Sequence, residues 1–166
     1  MKERRVLRIG FEKAFGTAKN AARNLNYSNE MLSKVFAGER NLAPDVMPKA
    51  AKAHLLIGLA IAQETTGYGC FSYIDGDRHP QTMIRRVEKE DFEADRALKE
   101  LPWLLIDKNA PEDLQGEERA KVFEGCLEVF DRIQADFNFI VEADDKFQLG
   151  LIDYATKRER PLQAAR

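Results

Sequence analysis

The sequence predicts an all-α chain, with a short N-terminal helix-turn-helix domain followed by an antiparallel helical oligomerisation region. Three observations lead there. Apolar residues recur at steps of three and four along most of the 166 residues, the period of a helix with one buried face. From Ala21 to Arg40, two short apolar faces flank a polar turn. A single stretch, Cys70-Phe71-Ser72-Tyr73-Ile74, has the character of a strand. With 44% hydrophobic and 33% charged residues, the chain has the make-up of a folded globular protein. Its length suits one domain, or a small domain with a helical extension, and is enough for a sizeable core.

Taken in order, a first helix is expected from about Arg4 to Phe15, with Leu7, Phe11 and Phe15 on one face and Gly10 as a weak point. Thr17 caps the second helix, whose buried face is Ala21, Ala22 and Leu25. Asn26 ends it in the left-handed conformation, which few residues other than glycine tolerate. Ser28 caps the third helix, which buries Met31 or Leu32 together with Val35 and Phe36, and Gly38 stops it. After the connector Asn41-Leu42-Ala43-Pro44, Asp45 caps a fourth helix with Pro48 in its first turn. That helix is expected to run to about Thr66 along Met47, Ala51, Leu55, Leu59 and Ala62. Its first half would close the N-terminal unit and its second half would leave it. Gly67-Tyr68-Gly69 breaks the pattern, the strand candidate follows, and Asp75-Gly76-Asp77 forms a turn.

The remainder is helical and regular. Ile84, Val87, Asp91, Ala94, Leu98, Leu101 and Leu105 step by three and four, with Pro102 stopping the helix near Leu101. Beyond a loop with Asn109 and Pro111, Phe123, Cys126, Phe130, Ile133, Phe137 and Ile140 repeat the same steps. Both runs have the a/d pattern of helices that pair in antiparallel hairpins or bundles. Leu127, Val129 and Val141 broaden the second stripe beyond a single seam. Burying the three phenylalanines of that seam contributes about 2 kcal/mol each. Asp91 interrupts the first seam, either at its end or as a device that fixes register. The expected divisions are residues 1–66, a connector at 67–79, the oligomerisation region at 80–156 and a disordered tail at 157–166.

The segment from Thr17 to Arg40 resembles the helix-turn-helix of the Cro and phage-repressor family, the XRE-like regulators. Ala22 matches the small residue between the two helices, Asn26 the turn position, and Leu32 and Val35 the inward positions of the recognition helix. Ser33-Lys34 and Gly38-x-Arg40 match the run that follows. Ala18 departs from the family where a phosphate-binding Gln is frequent, and Phe36 stands where an acidic residue is frequent. The resemblance implies that double-stranded DNA is read in the major groove by Ser28, Asn29, Glu30, Ser33 and Lys34. Asn29 suits adenine, Lys34 guanine or a phosphate, and Glu30 cytosine. Thr17, Lys19, Arg23 and Arg40 would hold the phosphate backbone and set register. A reader followed by a multimerising helical segment is also the order of phage lysogeny regulators, although no motif in the second half carries that likeness.

Charge supports the same division. Residues 1–55 hold eleven Lys/Arg against five Asp/Glu, whereas residues 56–166 hold fifteen against twenty-three. The net charge of −2 therefore conceals a basic half, the one with the helix-turn-helix pattern. Lys2, Arg4, Arg5 and Arg8 form a basic arm at its start, read as a solvated terminus or as a strap on the DNA backbone. Cys70 and Cys126 form no CxxC and are expected to be reduced, buried thiols. His54 and His79 are too few for a zinc site and suit surface or capping roles. No catalytic triad, phosphate-cradling loop or metal motif appears, so neither an enzyme nor a cofactor is expected. The longest apolar stretch, Leu55 to Ala62, is too short for a bilayer, and a cytoplasmic location is expected.

A single helix-turn-helix reads few base pairs, and dimerisation on paired half-sites supplies the missing affinity. The sequence therefore points to a homo-dimer or higher even oligomer held by the Phe123–Ile140 seam. A helical protein-binding adaptor, or an antitoxin-like protein, is the alternative. It explains the bundle but not the basic half.

Overall fold

The structure is a computed structural model that describes residues 4–157. Among these residues it is all-α. Its helices are α1 (Arg5–Phe15), α2 (Ala18–Leu25), α3 (Asn29–Phe36), α4 (Met47–Ala51), α5 (Leu55–Thr66), α6 (Pro80–Leu98), α7 (Leu101–Leu104), α8 (Gly116–Phe147) and α9 (Leu151–Lys157). The chain forms two compact units. Among the described residues, one contains Arg4 to Tyr68 and Phe147 to Lys157, and the other runs from Gly69 to Lys146. The tail beyond Lys157 and Lys2 of the basic arm lie outside the described residues.

The first unit closes around Leu7 and Phe11 of α1, Ala21, Ala22 and Leu25 of α2, and Leu32, Val35 and Phe36 of α3, joined by Leu42, Ala50, Ile57 and Ala60. Phe11 meets Phe36 edge to face, with ring centroids 5.4 Å apart. The apolar residue at 36 is therefore a core residue, 8% exposed.

The expected helix from Asp45 to Thr66 is two helices. The chain leaves α4 at Lys52, and His54 becomes extended (φ −164°, ψ 141°), its Nδ1 accepting the Leu56 amide at 3.1 Å. This cap restarts the helix in a new direction, so α5 packs on both α1 and α4. The second half thus stays in the N-terminal unit, contrary to expectation. Gly10 allows the approach: a Cβ built there would lie 2.8 Å from Ile57 Cγ1 and 3.1 Å from the Ile57 nitrogen.

The second unit is an antiparallel pair of α6 and α8. Arg132 of α8 reaches Asp91 and Asp95 of α6 at 3.7 and 3.8 Å, and Gly125 faces Leu98 and Leu101. Asp91 therefore bonds across the pair. Leu98 ends α6, and Pro102 sits in the first turn of α7.

No strand occurs among the described residues. Gly69–Phe71 is a turn of 3-10 helix, and the irregular residues after it are hydrogen-bonded by α8 side chains. The fully buried Asn138 donates from Nδ2 to the Ser72 carbonyl at 3.0 Å and accepts the Ile74 amide on Oδ1 at 3.0 Å. Gln134 Nε2 donates to the Ser72 hydroxyl at 2.7 Å. One amide side chain thus supplies the hydrogen bonds that a neighbouring strand would make. Arg78 adds to this network, donating to Glu142 at 2.7 Å and to Asn138 Oδ1 at 3.1 Å, with its guanidinium 3.7 Å from the Tyr73 ring centre.

The α8 stripe expected to pack as a seam does not face α6. The side turned to the pair carries small residues, Gly125 and Ala135, both buried. Phe123, Phe130, Phe137 and Ile140 remain 64%, 50%, 42% and 39% exposed. Cys126 is exposed as well, correcting the expectation that both thiols are buried, while Cys70 is buried. No described helix is long and apolar enough to cross a membrane.

Candidate nucleic-acid interface

Two eight-residue helices joined by a short turn make the candidate surface. Thr17 Oγ1 accepts the Asn20 amide at 3.2 Å and Ser28 Oγ accepts the Met31 amide at 3.1 Å, so both serine-type caps are in place. Each hydroxyl keeps its own proton to donate outward. Asn26 adopts the left-handed conformation (φ 58°, ψ 36°), and its N–H turns back to the carbonyls of Ala22 and Arg23. The turn is tied down from below. The Tyr27 hydroxyl accepts the Ala43 amide at 2.9 Å, and Lys49 Nζ donates to the Asn24 carbonyl.

With Ala21, Ala22, Leu25, Leu32, Val35 and Phe36 packed inward, the other faces of α2 and α3 are left to solvent. All nine candidate residues, Thr17, Lys19, Arg23, Ser28, Asn29, Glu30, Ser33, Lys34 and Arg40, are exposed. Four are cations and one is a carboxylate. Lys34 and Glu30 pair one turn apart at 2.7 Å, with 49% and 77% of their side chains exposed. An ion pair that wet is worth under about 1 kcal/mol, so a phosphate or base can displace either arm at little cost.

Arg4 has a role that the spacing did not disclose. Its amide donates to the Phe36 carbonyl at 2.9 Å and its Nη1 to the Arg40 carbonyl at 2.8 Å, while Nη2 bonds Asn41 Oδ1. On its other side Nε meets Glu64 Oε1 at 3.1 Å. Arg4 therefore fastens the end of α3 to α5 and does not act as part of a free arm. Burial pushes the Glu64 carboxyl above its ordinary value, with the Arg4 charge pulling against it. Arg8 pairs with Glu12 at 3.0 Å. The signal for Arg4 lies in a bond spanning more than thirty residues, which no local pattern encodes.

No family model, no curated protein and no solved structure matches the chain.

Elsewhere the histidines act as caps: His79 Nδ1 accepts the Gln81 amide at 3.2 Å, as His54 does for Leu56. Glu90, Glu93 and Glu128 bring carboxylate oxygens within 4.8 Å of one another. Lys89 already sits on two of them, at 3.0 Å from Glu90 and 2.7 Å from Glu93. The hydrogen bonds to Glu93 and Glu90 raise the Lys89 pKa, so the ammonium stays charged there.

Proposed function

We propose that the protein is a sequence-specific DNA-binding transcriptional regulator of the phage or prophage type, acting as a homo-oligomer on paired half-sites. The observation that carries this reading is the two-sidedness of α2 and α3. Their apolar halves build the core, while Ser28, Asn29, Glu30, Ser33 and Lys34 stand exposed on or beside one short helix, flanked by Lys19, Arg23 and Arg40. Groove reading requires such a rigid, polar-faced helix with cations beside it. The net positive charge of residues 1–55 favours the same partner.

Replacing Arg23 and Lys34 by glutamate (Arg23→Glu/Lys34→Glu) is expected to abolish binding to duplex DNA while leaving the far-ultraviolet circular dichroism unchanged, because both side chains are exposed. Normal affinity in the double variant contradicts the reading.

The adaptor alternative draws support from Trp103 and Ile106, which are 79% and 75% exposed. Salt separates the two readings: binding to DNA weakens steeply as salt rises, since each phosphate contact releases counterions.

A further inference from the structure

The stripe of α8, exposed at Phe123, Cys126, Phe130, Phe137 and Ile140 and half-buried at Ile133, with the Phe137 ring edge-on to Phe71 at 5.8 Å, has an order that favours one direction of pairing. Every a position of its repeat is a phenylalanine, at 123, 130 and 137, and the d positions are Cys126, Ile133 and Ile140. The same steps reach Arg119 at one end and Asp144 at the other. We propose that this face binds a second copy of the chain with the two α8 helices antiparallel, related by a two-fold axis midway between Phe130 and Ile133. In that register Phe130 lies opposite the partner's Ile133, Phe137 opposite the partner's Cys126, and Phe123 opposite the partner's Ile140. Arg119 then lies opposite the partner's Asp144.

Two arguments choose this arrangement. The first is size. Antiparallel helices set a against d, so each phenylalanine meets a smaller side chain, and alternating large with small fills the layers evenly. Parallel helices would set phenylalanine on phenylalanine in three layers. The second is charge. Antiparallel pairing puts a cation opposite a carboxylate at both ends, whereas parallel pairing opposes like charges at both ends. A slide of one heptad forfeits both end pairs. From Arg119 to Asp144 the seam is about 38 Å long at 1.5 Å per residue, entirely within one helix and one unit.

The proposal rests on reading the chain as self-associating, and its test uses no DNA. Sedimentation of the full chain is expected to give a dimer or an even multiple of it. Under mild oxidation with diamide the native chain forms no Cys126–Cys126 link, while Phe137→Cys links position 137 to the partner's Cys126. Within one helix those positions are about 16 Å apart and cannot join. A native Cys126–Cys126 link overturns the antiparallel direction. An associated Phe137→Cys chain without the 126–137 link overturns the register.

Arg119→Asp serves as a second probe, expected to weaken association roughly tenfold because it opposes two carboxylates at each end. Adding Asp144→Arg restores the association if the pairing is antiparallel. Failure of that rescue contradicts the proposal. A monomeric native chain contradicts the self-association reading itself, and with it this proposal.

Discussion

Asn138 is the only fully buried polar side chain among the described residues that form the core, and it stands in for an absent strand. Its amide serves the Ser72 carbonyl and the Ile74 amide at once, and Nδ2 also reaches the Gln134 carbonyl at 2.8 Å. Removing it leaves the Ile74 amide without its acceptor, at a cost of about 1–3 kcal/mol, and the Ser72 carbonyl with only Gln134 Nε2, 3.3 Å away. Asn138→Ala is therefore expected to lower the stability of the chain by about 1–3 kcal/mol in urea unfolding. A change below about 0.5 kcal/mol would contradict the account of this residue. Nothing in the sequence marked Asn138, because it sits in a helix with no periodic pattern of its own type, and its partners are more than sixty residues away. Asn26 presents the opposite case. A residue able to adopt positive φ, placed between two apolar faces, was legible as a turn, and its φ of 58° is what that position requires. Arg4 was misread for the same reason that Asn138 was missed: its bonds to Arg40 and Asn41 are distant in sequence.

At the scale of elements, apolar spacing located the helices well and their faces less well. The first helix follows from periodicity and the next two from caps and periodicity, both of which act within a few residues. The break between α4 and α5 escaped because the apolar spacing from Met47 to Ala62 continues across it. The break depends on the His54 imidazole accepting an amide, a role usually given to Ser, Thr, Asp or Asn. Gly10, read as a flaw in α1, is where α5 comes closest. Gly10→Ala gains up to about 1 kcal/mol of helix propensity but forces a Cβ to 2.8 Å from Ile57 Cγ1 and 3.1 Å from the Ile57 backbone nitrogen. Overpacking of that kind costs about 1–3 kcal/mol, so the variant is expected to melt at a lower temperature. A higher melting temperature would show that α1 and α5 can part cheaply. The α8 seam shows the limit of periodicity. The stripe is present, but Gly125 and Ala135, which the period undervalues, let α6 approach the other side.

At the scale of the whole molecule, the all-α class was legible from the period of the apolar residues, and the strand candidate failed because α8 side chains satisfy its backbone. One compact unit runs to Tyr68 and the other begins at Gly69. The stretch from Phe147 to Lys157 groups with the first unit, a return of the chain that linear order does not encode. The exposed polar side chains of α2 and α3, proposed to read DNA, belong to one unit and the exposed Phe123, Phe130 and Phe137 of α8 to the other, so a substitution in either set is expected to leave the fold of the other unit intact.

The outward side chains of α2 and α3 are proposed to recognise sequence, and a selection of bound fragments from random duplexes at physiological salt addresses that most directly. The expected result is an enriched motif of two related half-sites, lost in the Arg23→Glu/Lys34→Glu chain. Recovery of no enriched motif, or of the same motif by the substituted chain, would contradict the reading.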